Sequence, residues 1–436
     1  MPGRYWIETL GCPKNTVDSD KLAGTLETDG YAPADDVGSA DIVVVNTCAF
    51  IEAARQESID TILALGDARR PGARLVVTGC LAERYGRELA RALPEADQVA
   101  GFGVPVTVGG RRHEGSRNVP PLDLLNLPRP PARAPWAYLK VAEGCDRTCG
   151  FCAIPSFRGK QRSRALRDIV EEAGALGVAE VVLVAQDLAS YGRDQGRAGA
   201  IGPLVRAVAG SVQRVRLLYL YPSDLTDGLI DVICETGLPY FDLSLQHAAK
   251  PLLRAMRRWG DGDRFLARIA DIRRREPRAA FRSSFIVGYP GETEGDHDEL
   301  LGFLADAQLD WAGFFAFSPE AGTYAEGLAG RVPDGLVRER LQEASELQEG
   351  ITASRRSALI GETVEVLVDR PGRSRSHREA PEIDGIISVP TQLPVGQVGP
   401  VAITGAAGPD LEAVAVGAGS GSWAAMASAP DVRSRA

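Results

Sequence analysis

The 436-residue sequence predicts an α/β protein in three parts: an N-terminal parallel-sheet α/β domain, a central partial (β/α)6 barrel and a small C-terminal antiparallel β-barrel. Three observations predict it. Apolar strand-like runs alternate with helical stretches over residues 1–104. Six further strand–helix units follow over 136–356. After 357 the helical period gives way to short alternating strands separated by Gly and Pro.

In the first part, strands are expected at 5–10, 41–45 and 75–78, and helices at 17–28, 51–65 and 82–93. The run DIVVV (41–45) is a short apolar run after its Asp, as for a strand covered on both faces. A βαβα order implies a parallel sheet. Residues 105–135 hold seven prolines, which remove backbone donors and break helices, so a linker is expected there. The central strands are expected at 137–142, 180–185, 215–220, 240–245, 280–287 and 312–317, with clear helices at 169–176 and 264–275. Six consecutive units fit an incomplete barrel better than a closed eightfold one, and a doubly wound sheet is the alternative. The last part, 357–418, offers strands at 362–369, 384–389, 398–404 and 411–416. Residues 419–436 are mostly small and polar and are expected to be disordered.

Composition excludes several classes. Hydrophobic residues at 44% and charged residues at 25% are those of an ordinary globular protein. No apolar run reaches the ~18 residues that span a bilayer, so no membrane partner is expected. The N-terminus lacks the basic-then-apolar layout of a signal peptide, which points to the cytoplasm. There, grouped cysteines serve as ligands or catalysts more often than as disulfides. A net charge of −9 argues against nucleic acid as the main partner and allows a basic one.

The seven cysteines carry the chemistry. Cys145, Cys149 and Cys152 are spaced C-x3-C-x2-C just past the first central strand. Thiolates at this spacing suit an Fe–S cluster or zinc. Structural zinc wants four closed ligands, and no nearby Cys or His supplies a fourth. Three ligands leave one metal position open for chemistry. Another trio, Cys12, Cys48 and Cys80, lies 36 and 32 residues apart. Each follows a predicted strand (IETLGC, IVVVNTC, LVVTGC). In a parallel sheet those ends share the edge where ligands bind. A single such cysteine reads as a small buried hydrophobe; three at one topological position exceed that reading. Cys234, in the apolar run LIDVICETG, reads as core.

The C-x3-C-x-aromatic-C loop, with Phe151 in the aromatic place, resembles the radical S-adenosylmethionine (SAM) superfamily. The resemblance implies that Cys145, Cys149 and Cys152 bind a [4Fe–4S] cluster with one iron free of protein ligands. SAM chelates that iron and is cleaved to methionine and a 5′-deoxyadenosyl radical. The whole layout, residues 4–418, is similar to the methylthiotransferases within that superfamily. This similarity implies a second [4Fe–4S] cluster on Cys12, Cys48 and Cys80, and a TRAM domain as the terminal barrel. It also implies cofactor contacts from Phe151, Gln186, Asp187, Gln246 and Gly288.

Local motifs resemble the branch that modifies an aspartate of small-subunit ribosomal protein S-twelve. They are Gly11-Cys12-Pro13-Lys14-Asn15, Ala142-Glu143-Gly144-Cys145, the run 153–159 (AIPSFRG), Gln186-Asp187, Leu245-Gln246-His247 and the run 380–385 (APEIDG). The alternative is a tRNA adenosine methylthiotransferase. Between 357 and 418 four bases face eight acids, which suits a basic protein partner and not stable tRNA binding. The resemblance further implies an electron donor such as flavodoxin or ferredoxin. The basic run 158–164 reads either as a contact to SAM or to an acidic target, or as a solvated turn. His247 reads either as facing the site or as a satisfied structural histidine. Tyr289 departs from the aromatic usual in the branch. A zinc-binding scaffold without activity is the rival from another class.

Overall fold

The structure, a computed structural model, describes residues 3–104 and 123–416. The linker expectation over 105–122 and the tail expectation over 419–436 lie outside the described residues.

The N-terminal sheet contains β1 (Arg4–Thr9), β2 (Ala32–Pro33), β3 (Ile42–Thr47), β4 (Arg74–Gly79) and β5 (Gln98–Val99). All pair in parallel, in the order β2-β1-β3-β4-β5. The DIVVV run explains its own burial. Val43 and Val45 face one core with Leu75, Val77 and Leu89, while Ile42 and Val44 face another with Leu22, Leu26 and Val76. Each such side chain contributes about 1.5–3 kcal/mol on leaving water. The helices are α1 (Pro13–Thr28), α2 (Glu52–Ala68) and α3 (Cys80–Ala92). α1 starts earlier than periodicity places it, because Pro13 occupies its first turn, where the missing N–H costs no hydrogen bond.

The central strands are β6 (Trp136–Lys140), β9 (Glu180–Val184), β10 (Arg214–Leu217), β11 (Tyr240–Gln246), β12 (Ala280–Val287) and β13 (Trp311–Ala316). Between the first two, a short ribbon of β7 (Ala142–Glu143) and β8 (Arg162–Ser163) brackets the Cys145–Cys152 loop. Two parallel three-stranded sheets, β6-β9-β10 and β11-β12-β13, join through one bridge, Leu220 to Leu243. The strand order follows the sequence and never reverses, so the sheet is an open barrel and not a doubly wound sheet. Its lumen is plugged from two sides. Val17 of α1 and Ala380 from the C-terminal part both pack with Tyr138, Val182, Val184, Leu218, Tyr240, Ala280 and Trp311.

The terminal strands β14 (Thr363–Arg370), β15 (Arg373–Arg375), β16 (Ile387–Ser388), β17 (Val398–Ala407) and β18 (Asp410–Ala415) close into a barrel. Two features differ from expectation. β15 is the polar triplet Arg-Ser-Arg, which shows no apolar alternation. The β16–β18 pair is parallel, so the barrel is not purely antiparallel.

The acidic character of this barrel also needs correction. Glu379 is fully buried and paired with Arg356. The buried Asp384 carboxylate accepts from the Tyr240 hydroxyl at 2.6 Å and the Ala380 N–H at 2.8 Å. Asp369 pairs with Arg375 at 2.6 Å. These acids hold the barrel to the starts of the central strands and to each other, and form no free surface. Trp311 Nε1 donates to Arg378 O at 2.7 Å, and Arg375 reaches Glu180 at 3.3 Å, along the same seam. Glu362, Glu365, Glu382 and Glu412 remain exposed, against Arg370 and Arg373. No helix among the described residues is long and apolar enough to cross a membrane.

Candidate functional site

The first trio sits where strand ends place it. Cys12 caps the start of α1, Cys48 follows β3, and Cys80 opens α3 directly after β4. Asn15 binds the exits together: its Nδ2 donates to Leu10 O at 2.8 Å and to Thr47 O at 3.0 Å. Gly11 takes φ +94°, and a Cβ there would lie 2.9 Å from Cys48 Sγ, so only glycine lets the loops meet. The three thiols lie close enough to perturb one another. Burial pushes Cys48 up to about 11, and the neighbouring Cys12 and Cys80 add to that rise. Cys80 is likewise raised by burial. Cys12 goes the other way: burial opposes ionisation, but the Lys14 and Arg158 cations pull it below its ordinary value.

The second trio hangs on the β7–β8 ribbon. Gly144 takes φ +80°, and a Cβ would meet Lys160 O at 2.1 Å. Burial pushes Cys145 up to about 11 and Cys152 up to about 12, with mutual contributions from Cys149. Donors face the sulfurs: Arg147 N–H to Cys145 Sγ and Arg258 Nη1 to Cys149 Sγ, each at 3.4 Å. Arg147 and Arg258 both lie over one ring, 3.8 and 3.9 Å from the Tyr221 centroid. Phe151 packs near Tyr289, Met256 and Ala249, anchoring the loop in apolar surroundings. Tyr289 donates to Ala255 O at 3.0 Å, so this departure from the branch pattern supports the same loop.

One short helix joins the trios. α4 (Ile154–Arg158) begins two residues after Cys152, and its Phe157 packs into the N-terminal core. Its last residue, Arg158, is buried and donates from Nη2 to Cys80 Sγ at 3.0 Å and to Asn15 Oδ1 at 2.6 Å. Nη1 donates to Asp18 at 3.1 Å and to Glu143 at 3.0 Å. Lys140 also pairs with Asp18 and with Glu143, closing a buried quartet of two cations and two anions. The two cations hold the Glu143 carboxyl below its ordinary value despite burial. Elsewhere on the seam, Arg84 and Arg55 of the N-terminal domain both pair with the buried Glu320.

The other expected residues separate. Gln186 donates to Glu143 at 2.6 Å, and Asp187 binds Arg147 at 2.6 Å, so both face the loop through a partner. Gln246 ends β11 at φ +74°. Gly288 donates its N–H to Glu292 and backs onto Val337. His247 is fully buried; its Nδ1 accepts from Ala249 N–H at 3.0 Å, while its Nε2 has no hydrogen-bond partner and lies 3.9 Å from Glu292. The basic run 158–164 divides: Lys160 and Arg162 are exposed, as for a solvated turn, Arg162 pairing with Asp123 at 2.9 Å, whereas the buried Arg164 pairs with Glu172 at 2.6 Å and Arg158 bonds Cys80. Sequence reasoning missed Arg147, Arg258 and Tyr221; only Arg147, inside the cysteine loop, carried a local signal. Cys234 packs against the central core.

Two trios of free thiols, ringed by cationic and N–H donors, fit anionic thiolate-bound clusters. Among the described residues no three Cys, His, Asp or Glu side chains close on a single ion. A cubane spreads its thiolates over separate corners, a wider arrangement than one zinc requires.

Residues 4–101 match Uncharacterized protein family UPF0004, 139–304 the Radical SAM superfamily, and 360–416 the TRAM domain. Curated relatives span the chain. "Ribosomal protein uS12 methylthiotransferase RimO" of Nocardioides sp. is 41% identical over 93% of this chain and 95% of its own length. The protein of the same name from Streptomyces coelicolor is 41% identical over 93% and 95%. That from Moorella thermoacetica is 44% identical over 88% and 93%.

Proposed function

The chain belongs to the RimO family of radical SAM methylthiotransferases, and from that premise we propose that it replaces one β-hydrogen of an aspartate in ribosomal protein uS12 with a methylthio group. Cys145, Cys149 and Cys152 are the ligands of a [4Fe–4S] cluster, and Cys12, Cys48 and Cys80 of a second. When bound, these groups supply the electron that cleaves SAM and the sulfur that is transferred. A second SAM provides the methyl group.

The chain's own residues do the rest. The Arg147 backbone N–H and the Arg258 guanidinium donate to the sulfurs of the radical loop, and the Arg258 cation offsets part of its charge. Their shared contact with Tyr221 fixes the loop against the exit of β10. Gln186 and Asp187 hold Glu143 and Arg147 in place on either side of Gly144. Val17 and Ala380 pack into the lumen from its two sides, and the reacting carbon approaches at the cysteine-bearing strand ends. Phe151, Gln246 and Gly288 lie on the loop or at strand ends around that opening, in keeping with a SAM contact. The single observation that carries the reading is the Arg158 junction, which fixes the two trios on facing domain edges.

A basic partner suits the exposed acids of the terminal barrel, though fewer than composition implies. A cytoplasmic site, an electron donor such as flavodoxin or ferredoxin, and weak tRNA binding belong to the same reading. Mass spectrometry of ribosomal proteins and tRNA, from cells with and without this gene, tests it. Loss of methylthioaspartate in uS12 is expected; loss of a methylthio group from tRNA alone would favour the adenosine-modifying reading.

A further inference from the structure

Lys14 stands apart from the other cations of the site. It lies on the first turn of α1, two residues from Cys12, and faces the central domain. Its Nζ sits 3.5 Å from the centroid of the Tyr219 ring. Among the described residues no carboxylate pairs with it, whereas its neighbours are compensated. Arg282 bonds Asp242 at 3.2 Å and Asp384 at 3.4 Å, and Arg158 and Lys140 share Asp18 and Glu143. Lys14 is half-buried, so its charge is only partly solvated. A half-buried ammonium without a carboxylate partner favours an arriving anion.

The platform beneath it is strained. Tyr219 holds φ +65°, in the left-handed region that a bulky side chain rarely adopts. Its N–H is fixed by Asp242 at 2.9 Å, and the preceding N–H of Leu218 by Leu183 O at 3.3 Å. Surrounding bonds thus enforce a conformation that sets the ring under Lys14. Strain of this kind persists where the fold over-determines a functional position. Two residues on, Tyr221 carries Arg147 and Arg258 of the radical loop. The Tyr219–Tyr221 segment therefore reaches both trios, with Lys14 on the sulfur side.

We propose that Lys14 is a specificity-determining residue: its ammonium receives the side-chain carboxylate of the target aspartate and so sets the adjacent β-carbon between the two trios. This rests on the aspartate reading above. An adenine offers no carboxylate, so the same cation would select between the two substrate classes. A rival role is available on the page, since Lys14 also favours the ionised Cys12 thiol. The test separates them.

The reconstituted full chain is titrated, without reductant, with two synthetic peptides spanning the modified loop of uS12. One carries the aspartate and the other asparagine in its place. The unaltered chain is expected to bind the aspartate peptide about tenfold more tightly, the value of one charge-assisted contact. Lys14→Met is expected to bind both peptides alike, at the weaker level, with its iron content retained. Lys14→Arg is expected to keep most of the preference. A tenfold preference surviving in Lys14→Met overturns the proposal. So does an equal loss of both peptides, or loss of iron, because Lys14 would then serve the fold or the Cys12 thiol. Binding of neither peptide by the unaltered chain overturns the ribosomal-protein reading itself, and the proposal with it.

Discussion

The Arg158 guanidinium donates to the Cys80 thiol at 3.0 Å, across 78 residues of sequence and a domain boundary. The same side chain neutralises Asp18 and Glu143, so it serves the cysteine-bearing edge and the seam together. Removing it leaves two buried carboxylates short of a cation. Arg158→Gln should therefore destabilise the protein by about 3–5 kcal/mol, read by denaturant unfolding. Arg158→Lys should restore part of that stability but not the bond to Cys80, seen as an altered spectrum of the cluster on Cys12, Cys48 and Cys80 alone. A Gln variant of undiminished stability would refute this account of the seam.

Iron content should divide between the trios. Full reconstitution should give about eight irons per chain, from two four-iron clusters. Replacing Cys145, Cys149 and Cys152 with Ala should halve the iron and abolish reductive SAM cleavage, measured as 5′-deoxyadenosine. Full iron in that variant would show the loop assignment to be wrong.

The first trio should behave differently. With Cys12, Cys48 and Cys80 replaced by Ala, SAM cleavage should persist while sulfur insertion into uS12 is lost. Equal loss of both activities in a folded, half-iron variant would contradict a division of labour between the domains.

Gly144 offers a backbone test of the same loop. A Cβ at this position meets Lys160 O at 2.1 Å, at a φ of +80°. Gly144→Ala should lower iron at the second trio and leave the first trio loaded. An unchanged iron count and spectrum would mean the ribbon tolerates a shift that the geometry forbids.

The buried acids of the terminal barrel should give opposite pH signatures. Burial alone would raise Glu379, but Arg356 and the Ser376 donors more than offset it and hold the carboxyl at about 2. Its stabilisation is present above the unfolded value near 4.5 and fades as pH falls towards 2. Burial raises Asp384 to about 6 against the opposing pull of Arg282 and Tyr240. The folded state then holds that proton more tightly, so stability falls as pH rises from about 4 to 6. Each effect is on the order of 3 kcal/mol. Glu379→Gln should lose more stability at pH 7 than at pH 3, and Asp384→Asn more at pH 4 than at pH 7. Urea unfolding across that range is the measurement, and matching profiles for the two variants would refute the assignment.

The sequence by itself determined the fold class and the positions of both cysteine trios. The reason is local. An apolar run such as the Ile-Val-Val-Val that opens β3 reads as a strand covered on both faces, and in a parallel sheet every strand ends on one edge. Cys12, Cys48 and Cys80 could thus be placed together without knowing any contact between them. The C-x3-C-x2-C loop was legible for the same reason, being contained in eight residues. Tertiary structure alone decided what the charged residues do. Arg158 and Arg164 sit two turns of chain apart in one basic run, yet one reaches Cys80 and the other Glu172. Glu379 and Asp384 count as acids in any composition, but only the seam with the central strands shows that they are buried. β15 escaped because its three residues carry no period. Periodicity records which face of an element meets the core; it holds no record of which distant charge will complete a buried pair, because that partner is chosen by how domains pack.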